Sequence, residues 1–251
     1  MKNIFLATTA LVATAGFAAA EVNFSGGANM GLKYNDAVGD VVLHREITLT
    51  VAMTGETDGG LTFGADMTIT AAGVGDVVAY IEGGFGKLSV GDVGSAVDAN
   101  LGLSDLGFDG IGTDNVAELL IDLADVGSVM YKGTFGDFTV AASYGMINDF
   151  GASSAETFSV AALYTMGDYN FGLGYDDATD AVSVKLGATV GDIAVNALGS
   201  FANGAESYGF TAAYTMGATT VTAAYSKADL GLGSVDAFGV GFGYDLGGGA
   251  T

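Results

Sequence analysis

Apolar and polar residues alternate with a period of two along most of the chain beyond residue 20. In residues 138–146, for example, Phe138, Val140 and Tyr144 alternate with the small or polar Thr139 and Ser143. A period of two is the pattern of a β-strand with one apolar face. It predicts fourteen strands, at residues 22–33, 44–53, 61–70, 77–83, 87–91, 128–134, 138–146, 156–165, 169–175, 182–189, 193–200, 207–215, 219–227 and 235–245.

The length and chemistry of these segments favour strands that cross a membrane. Many of them run near ten residues, and tyrosines such as Tyr144, Tyr164 and Tyr214 lie toward the ends of their apolar faces. The mean hydropathy is +0.45, yet no long apolar segment follows the first twenty residues. Hydrophobicity dispersed in this way is typical of a transmembrane β-barrel. We therefore predict an all-β chain that forms a transmembrane antiparallel β-barrel.

The connections between these segments alternate between short and long. The short connections contain glycine, as in Gly136-Asp137 and Gly191-Asp192, and glycine supplies the positive φ of a tight hairpin. The long connections are rich in Asp, Asn, Ser and Gly. Short turns at one end and long loops at the other are the layout of an outer-membrane barrel.

Composition narrows the range of functions. Residues 1–20 carry Lys2, an apolar run and a final Ala-Ala-Ala, which predicts a cleaved secretory signal peptide ahead of a barrel domain at 21–251. Six basic and 29 acidic residues then remain, a net charge near −23 that disfavours nucleic acid as a partner. The chain has no Cys and one histidine, His44, so neither a thiol metal site nor a catalytic triad is recognisable. We expect no enzymatic activity.

Several motifs resemble the Rhodobacter-type general porins of photosynthetic alphaproteobacteria. They are Glu21-Val22 with Ser25-Gly26, the stretch from Met53-Thr54-Gly55 to Ala65, Phe85-Gly86-Lys87 with Gly91-Asp92, Ala162-Leu163-Tyr164-Thr165-Met166-Gly167 and Tyr244-Asp245-Leu246-Gly247-Gly248-Gly249-Ala250. The resemblance implies a sixteen-stranded barrel that assembles as a homotrimer in the outer membrane, in contact with its lipid. It also implies passive diffusion of small hydrophilic solutes and ions. In such porins one more hairpin follows the last motif, so we expect this sequence to lack its final strands.

The longest connection, residues 92–127, is about 36 residues long, and loops of this length are usually functional or disordered. In the porins that the chain resembles, the corresponding loop folds inward and narrows the pore. The apolar residues of this loop suggest packing against a wall. It contains no Lys or Arg, and its acidic residues form either a solvated surface or the acidic side of a constriction. These are Asp92, Asp98, Asp105, Asp109, Asp114, Glu118, Asp122 and Asp125.

The opposite side of such a constriction would be formed by the wall. Lys33, Lys87, Lys132 and Lys185 all have the polar parity of their strands, where a lysine avoids the lipid. Lys33 and Lys185 lie farther from the short turns than the other two. The pore-wall candidates are Lys33, Arg45, Glu46, Thr48 and Lys185.

Where the family has a basic cluster on its second strand, this chain has Glu46 and Thr48. This departure predicts a pore that prefers cations. No cofactor is expected to be required, although clustered loop carboxylates are suitable ligands for Ca²⁺ and the family offers precedent. Two alternatives to a general porin stay open. One is a solute-selective channel on the same scaffold, and the other is a structural or adhesive barrel without a channel.

Overall fold

The computed structural model describes residues 21–35, 39–104, 106, 113–123, 128–145, 156–231 and 233–250, without the side chains of residues 33–35, 113 and 114. The predicted signal peptide at 1–20 lies outside the described residues. The chain divides into two compact units at Gly91/Asp92.

The first unit is an antiparallel meander in which each strand pairs with the next along the chain. Strand pairing starts with Glu21 opposite Thr54 and continues to Gly83 opposite Gly86. The register shifts once, between Met67 and Ile69. The strands are β1 (Glu21–Asn35), β2 (Asp40–Glu56), β3 (Thr62–Thr70), β4 (Gly73–Gly83) and β5 (Gly86–Gly91).

The second unit begins with three short helices and continues as a second antiparallel meander. The helices are α1 (Ala96–Leu101), α2 (Thr113–Ala117) and α3 (Leu119–Asp122). The strands are β6 (Val129–Phe135), β7 (Phe138–Gly145), β8 (Thr157–Met166), β9 (Tyr169–Asp176), β10 (Ala181–Val190), β11 (Ile193–Ala202), β12 (Ala205–Met216), β13 (Thr219–Asp229) and β14 (Ser234–Tyr244). All fourteen predicted strands are present. Across the described residues, no helix is long and apolar enough to cross a membrane.

Four short turns of the second unit share one geometry. In the first, Phe135 pairs with Phe138, which leaves Gly136 and Asp137 as the two turn residues. Gly136 has φ +62°, whereas Asp137 keeps a negative φ, and a single positive φ at the first turn position defines a type II′ hairpin. Gly167, Gly191 and Gly217 occupy the same position with φ values of +58°, +61° and +62°. The predicted glycine turns are therefore built as expected.

Each meander has two chemically different faces. In the second unit one face presents large apolar side chains to the surroundings, such as Phe171 and Leu173, which are 43% and 47% exposed. We call this the apolar face. The opposite face, here called the serine face, carries a row of buried serines. They are Ser143, Ser159, Ser183, Ser200, Ser207 and Ser226.

Candidate functional site

The helices of the 92–127 loop lie on the serine face. Helix α1 packs on β7, β8, β9 and β10, while α2 packs on β11 to β14 and α3 on β11 and β12. Apolar side chains of the loop, namely Val97, Leu101 and Ile121, form a buried cluster with Ala161 and Leu198 of the wall. The described part of the loop thus covers the polar side of the sheet.

Hydroxyl groups bind the first turn of α1. The backbone N–H of Ala96 donates to Ser143 Oγ at 2.9 Å and that of Val97 donates to Ser159 Oγ at 3.1 Å. The N–H of Asp98 donates to Ser95 Oγ at 3.0 Å, so Ser95 is the N-cap. The first N–H groups of a helix have no partner within the helix. Two wall strands and the N-cap therefore satisfy three of these donors.

Two lysines of the wall bind the other end of α1. Lys132 Nζ on β6 donates to the carbonyl oxygen of Ala99 at 2.7 Å. Lys185 Nζ on β10 donates to the carbonyl oxygen of Gly102 at 2.6 Å. Carbonyl groups at the end of a helix lack intrahelical partners and carry partial negative charge, so a cation is favoured there. Helix α1 is consequently bonded to the wall at both ends.

Two carboxylates lie beside these lysines. The carboxylate of Glu118 is buried and accepts the backbone N–H of Leu103. Asp98 interacts electrostatically with both lysines, and Glu118 interacts with Lys185. A Cβ at Gly102 would lie 2.9 Å from Asp98 Oδ1 and 3.3 Å from Glu118 Oε1. Glycine at this position is what allows the two carboxylates to approach the end of the helix.

Glycines in the wall make room for the loop. A Cβ at Gly174 of β9 would lie 2.6 Å from Val97 Cγ2, and one at Gly172 would lie 2.3 Å from Leu101 Cδ2. On β12, a Cβ at Gly209 would lie 2.6 Å from the Cβ of Ala117. Such distances are too short for real carbon–carbon contacts, so only glycine permits the observed approach.

The structure assigns different environments to the acidic candidates. Asp98 and Glu118 lie beside the wall lysines, as described above. Asp92 and Asp122 are exposed, and Asp114 lies on α2 with its side chain outside the described residues. Asp105, Asp109 and Asp125 lie outside the described residues altogether. In the described part of the chain, no group of three or more His, Cys, Asp or Glu side chains could hold a metal ion. Calcium binding by this loop stays a prediction.

The pore-wall candidates likewise lie in different environments. Lys185 bonds to the loop, whereas Lys33 lies on β1 with its side chain outside the described residues. Arg45 has the strand parity of the exposed Leu43 and Ile47 and therefore does not share a face with Glu46 and Thr48, although all three were proposed for the pore wall. On the polar face of β2, Glu46 accepts long hydrogen bonds of 3.5 Å from Asn29 Nδ2 and Thr48 Oγ1.

Sequence reasoning missed Lys132 and the two helix-binding serines. The parity of Lys132 correctly placed it on the polar face, but its position near a turn argued against a role. Ser143 and Ser159 resemble any other small inward residue of a strand, and nothing in the sequence distinguishes them. The proximity of α1 is what gives these three residues their role.

The polar face of the first unit carries more acid than base. Strand register places Glu46, Asp66 and Glu82 on one face together with Lys33 and Lys87. The ammonium group of Lys87 lies 3.7 Å from the centroid of the Tyr80 ring, a cation–π geometry. This surface is therefore acidic, with a lysine held against an aromatic ring.

Comparisons with known proteins agree on one family. The family model for Gram-negative porins matches residues 7–251. A porin of Rhodobacter capsulatus is 31% identical over an alignment of 278 residues that covers 92% of both chains. A porin structure refined at 1.8 Å resolution is similar with a TM-score of 0.71 and 28% identity, covering 91% of both chains. A mutant of Rh. blastica porin gives a TM-score of 0.72 at 20% identity over 91% of both chains, which shows the fold alone.

These matches confirm the predicted fold class, because the similar structures are porin barrels and cover nearly the whole chain. They also account for the exposed apolar face, which would be unfavourable in water but suits strands that face lipid. The chain belongs to the Gram-negative porin family of outer-membrane β-barrel channels.

Proposed function

We propose that the protein is a general diffusion porin, through which small hydrophilic solutes and ions pass passively across the outer membrane. The observation that carries this proposal is the packing of α1 to α3 on the serine face, since a loop on that face lies beside the route that solutes would take. A barrel of fourteen or more strands leaves an aqueous lumen that its small inward side chains do not fill. The loop of residues 92–127 would narrow this lumen.

We propose further that the pore prefers cations. On the polar face of the first unit, Glu46, Asp66 and Glu82 outnumber Lys33 and Lys87. In the second unit, Lys132 and Lys185 are bonded to carbonyl oxygens and lie beside carboxylates, which offsets their positive charge. Rings of acidic groups favour cations in a channel. The net charge of the lining is then negative.

The test is a planar-bilayer recording in a salt gradient. We expect stepwise conductance and a zero-current potential whose sign indicates cation preference. A zero-current potential of the opposite sign would refute the cation preference but would not contradict the proposed pore function. A barrel without a channel, which is the structural or adhesive alternative, would give no conductance steps. Saturation of the current by one class of solute would instead favour the solute-selective alternative.

We propose that the protein assembles as a homotrimer, on the basis of its family and of the apolar side chains that its strands expose. An apolar outer surface can face lipid or another subunit, so it permits this assembly. Electrophoresis in detergent without heating should give a band near three times the chain mass, and heating should convert it to the monomer. A monomer band in unheated samples that still conduct in bilayers would contradict the trimer.

A further inference from the structure

We propose that Lys132 and Lys185 are positioning residues that hold α1 against the wall and thereby set the width of the pore. This inference rests on the proposed pore function. These lysines would position the loop, in addition to the electrostatic effect of their charges on a passing ion. The two bonds to Ala99 and Gly102 are its starting point.

The two lysines lie on opposite sides of the strands that carry α1. Lys132 is on β6 and Lys185 is on β10, with β7, β8 and β9 between them. Neighbouring strands are about 4.8 Å apart, so the two lysines are separated by about 19 Å along the sheet. The side chains reach the same short segment, Ala99 to Gly102, from these two directions. Such an arrangement restrains α1 against sliding across the strands.

The lysine hydrogen bonds add to the contacts that the rest of α1 makes with the wall. At the first turn, Ser143 and Ser159 bind the N–H groups of Ala96 and Val97. Val97 and Leu101, the second and the last residue of α1, are fully buried against the wall. At the last turn, the lysines are what joins the carbonyl groups to the wall strands. Loss of both lysines would weaken the attachment of this end, which would then depend on the burial of Leu101, while the first turn keeps its serine bonds.

The first variant is therefore the double substitution Lys132→Met and Lys185→Met. Methionine keeps an apolar side chain of similar length but has no N–H to donate. We expect a higher unit conductance and a larger size limit for neutral sugars in a liposome-swelling assay. The passage of neutral sugars reports the width of the pore and is insensitive to its charge, so this readout separates position from electrostatics.

Two further proteins serve as controls. Lys227→Met removes one lysine charge from the same unit, but Lys227 has the strand parity of the exposed Val221 and Tyr225 and so lies on the apolar face. It should leave both readouts unchanged. The double substitution to arginine keeps a charged donor at both positions, and it should retain the conductance and size limit of the original protein.

A disulfide tests the mechanism directly, because the chain has no cysteine of its own. The side chain of Leu101, the last residue of α1, reaches the Cβ position of residue 172, which pairs with Lys185. The two Cβ atoms are therefore at most about 5 Å apart, close to the range of a disulfide. We would add Leu101→Cys and Gly172→Cys to the double methionine variant. Oxidation should return the size limit toward that of the original protein, and reduction should raise it again.

The outcomes separate the two proposals. If the original protein gives no conductance, the proposed pore function fails. If it conducts but the double methionine variant matches Lys227→Met in both readouts, the positioning role is wrong. The role is also wrong if the size limit rises but the oxidised disulfide does not lower it. A higher size limit that the disulfide reverses would establish that the lysines act by holding the loop.

Discussion

Single glycine residues determine how closely the loop approaches the wall. Gly172 and Gly174 alternate with Phe171 and Leu173 on β9, so at these four positions the strand has large side chains on its apolar face and no side chain on its serine face. Val97 and Leu101 occupy the space that this leaves. Glycine in the interior of a strand is destabilising because of its conformational entropy. It nevertheless often occurs where a ligand or another backbone approaches the strand closely.

Gly174→Ala should loosen the attachment of α1. The added methyl would lie 2.6 Å from Val97 Cγ2, and overpacking of this kind costs about 1–3 kcal/mol. We expect faster hydrogen exchange of the backbone amides of residues 96–103. Gly243→Ala is the matched control, because its methyl would meet only Thr220 O at 3.9 Å. Equal exchange in the two variants would show that the glycine is not needed for close packing.

For a charged residue, strand parity predicts the face of the sheet on which the side chain lies. Parity correctly placed Lys132 and Lys185 on the serine face, because a lysine avoids the lipid. The grouping of Arg45 with Glu46 and Thr48 as pore-wall candidates did not apply parity, because in the structure Arg45 shares a face with the exposed Leu43 and Ile47. Parity does not indicate what a lysine bonds to. That both lysines reach the carbonyl groups of α1 could be learned only from the position of the loop.

At the scale of elements, strands were predictable and helices were not. The alternation of residues identified every strand, and the structure mainly extends their ends, as in β4, which starts at Gly73 instead of 77. Helices α1, α2 and α3 have only four to six residues each, too few to establish a helical period. Helices this short are unstable in isolation, and contacts with the wall stabilise them.

The attachment of α1 through its first turn provides a test at this scale. Ser143→Ala and Ser159→Ala each remove the acceptor of a buried backbone N–H, which typically costs about 1–3 kcal/mol. Each should lower the free energy of unfolding, measured by urea titration in lipid vesicles, by about that amount. Ser226→Ala is a suitable control, because among the described residues its buried hydroxyl has no hydrogen-bond partner. If the free energy of unfolding falls by the same amount in all three variants, the helix-binding role of the two serines is refuted.

In the molecule as a whole, the alternation of residues produces two kinds of surface, one suited to lipid and one suited to polar surroundings. Apolar residues of one parity form an exposed surface that suits lipid, and small or polar residues of the other parity form the surface on which the loop lies. The chain has strongly negative charge, and the polar face of its first unit is acidic. These features together are the basis of the proposal that a water-filled passage admits cations more readily than anions.

If the loop of residues 92–127 narrows the pore, its removal should raise the unit conductance in a planar bilayer. The full chain would be compared with a variant in which residues 96–122 are replaced by a short Gly-Ser linker, after the assembly state of the variant and its insertion into the bilayer have been checked. We expect stepwise conductance for both proteins and clearly larger steps for the variant. Steps of equal size would show that the loop does not narrow the pore.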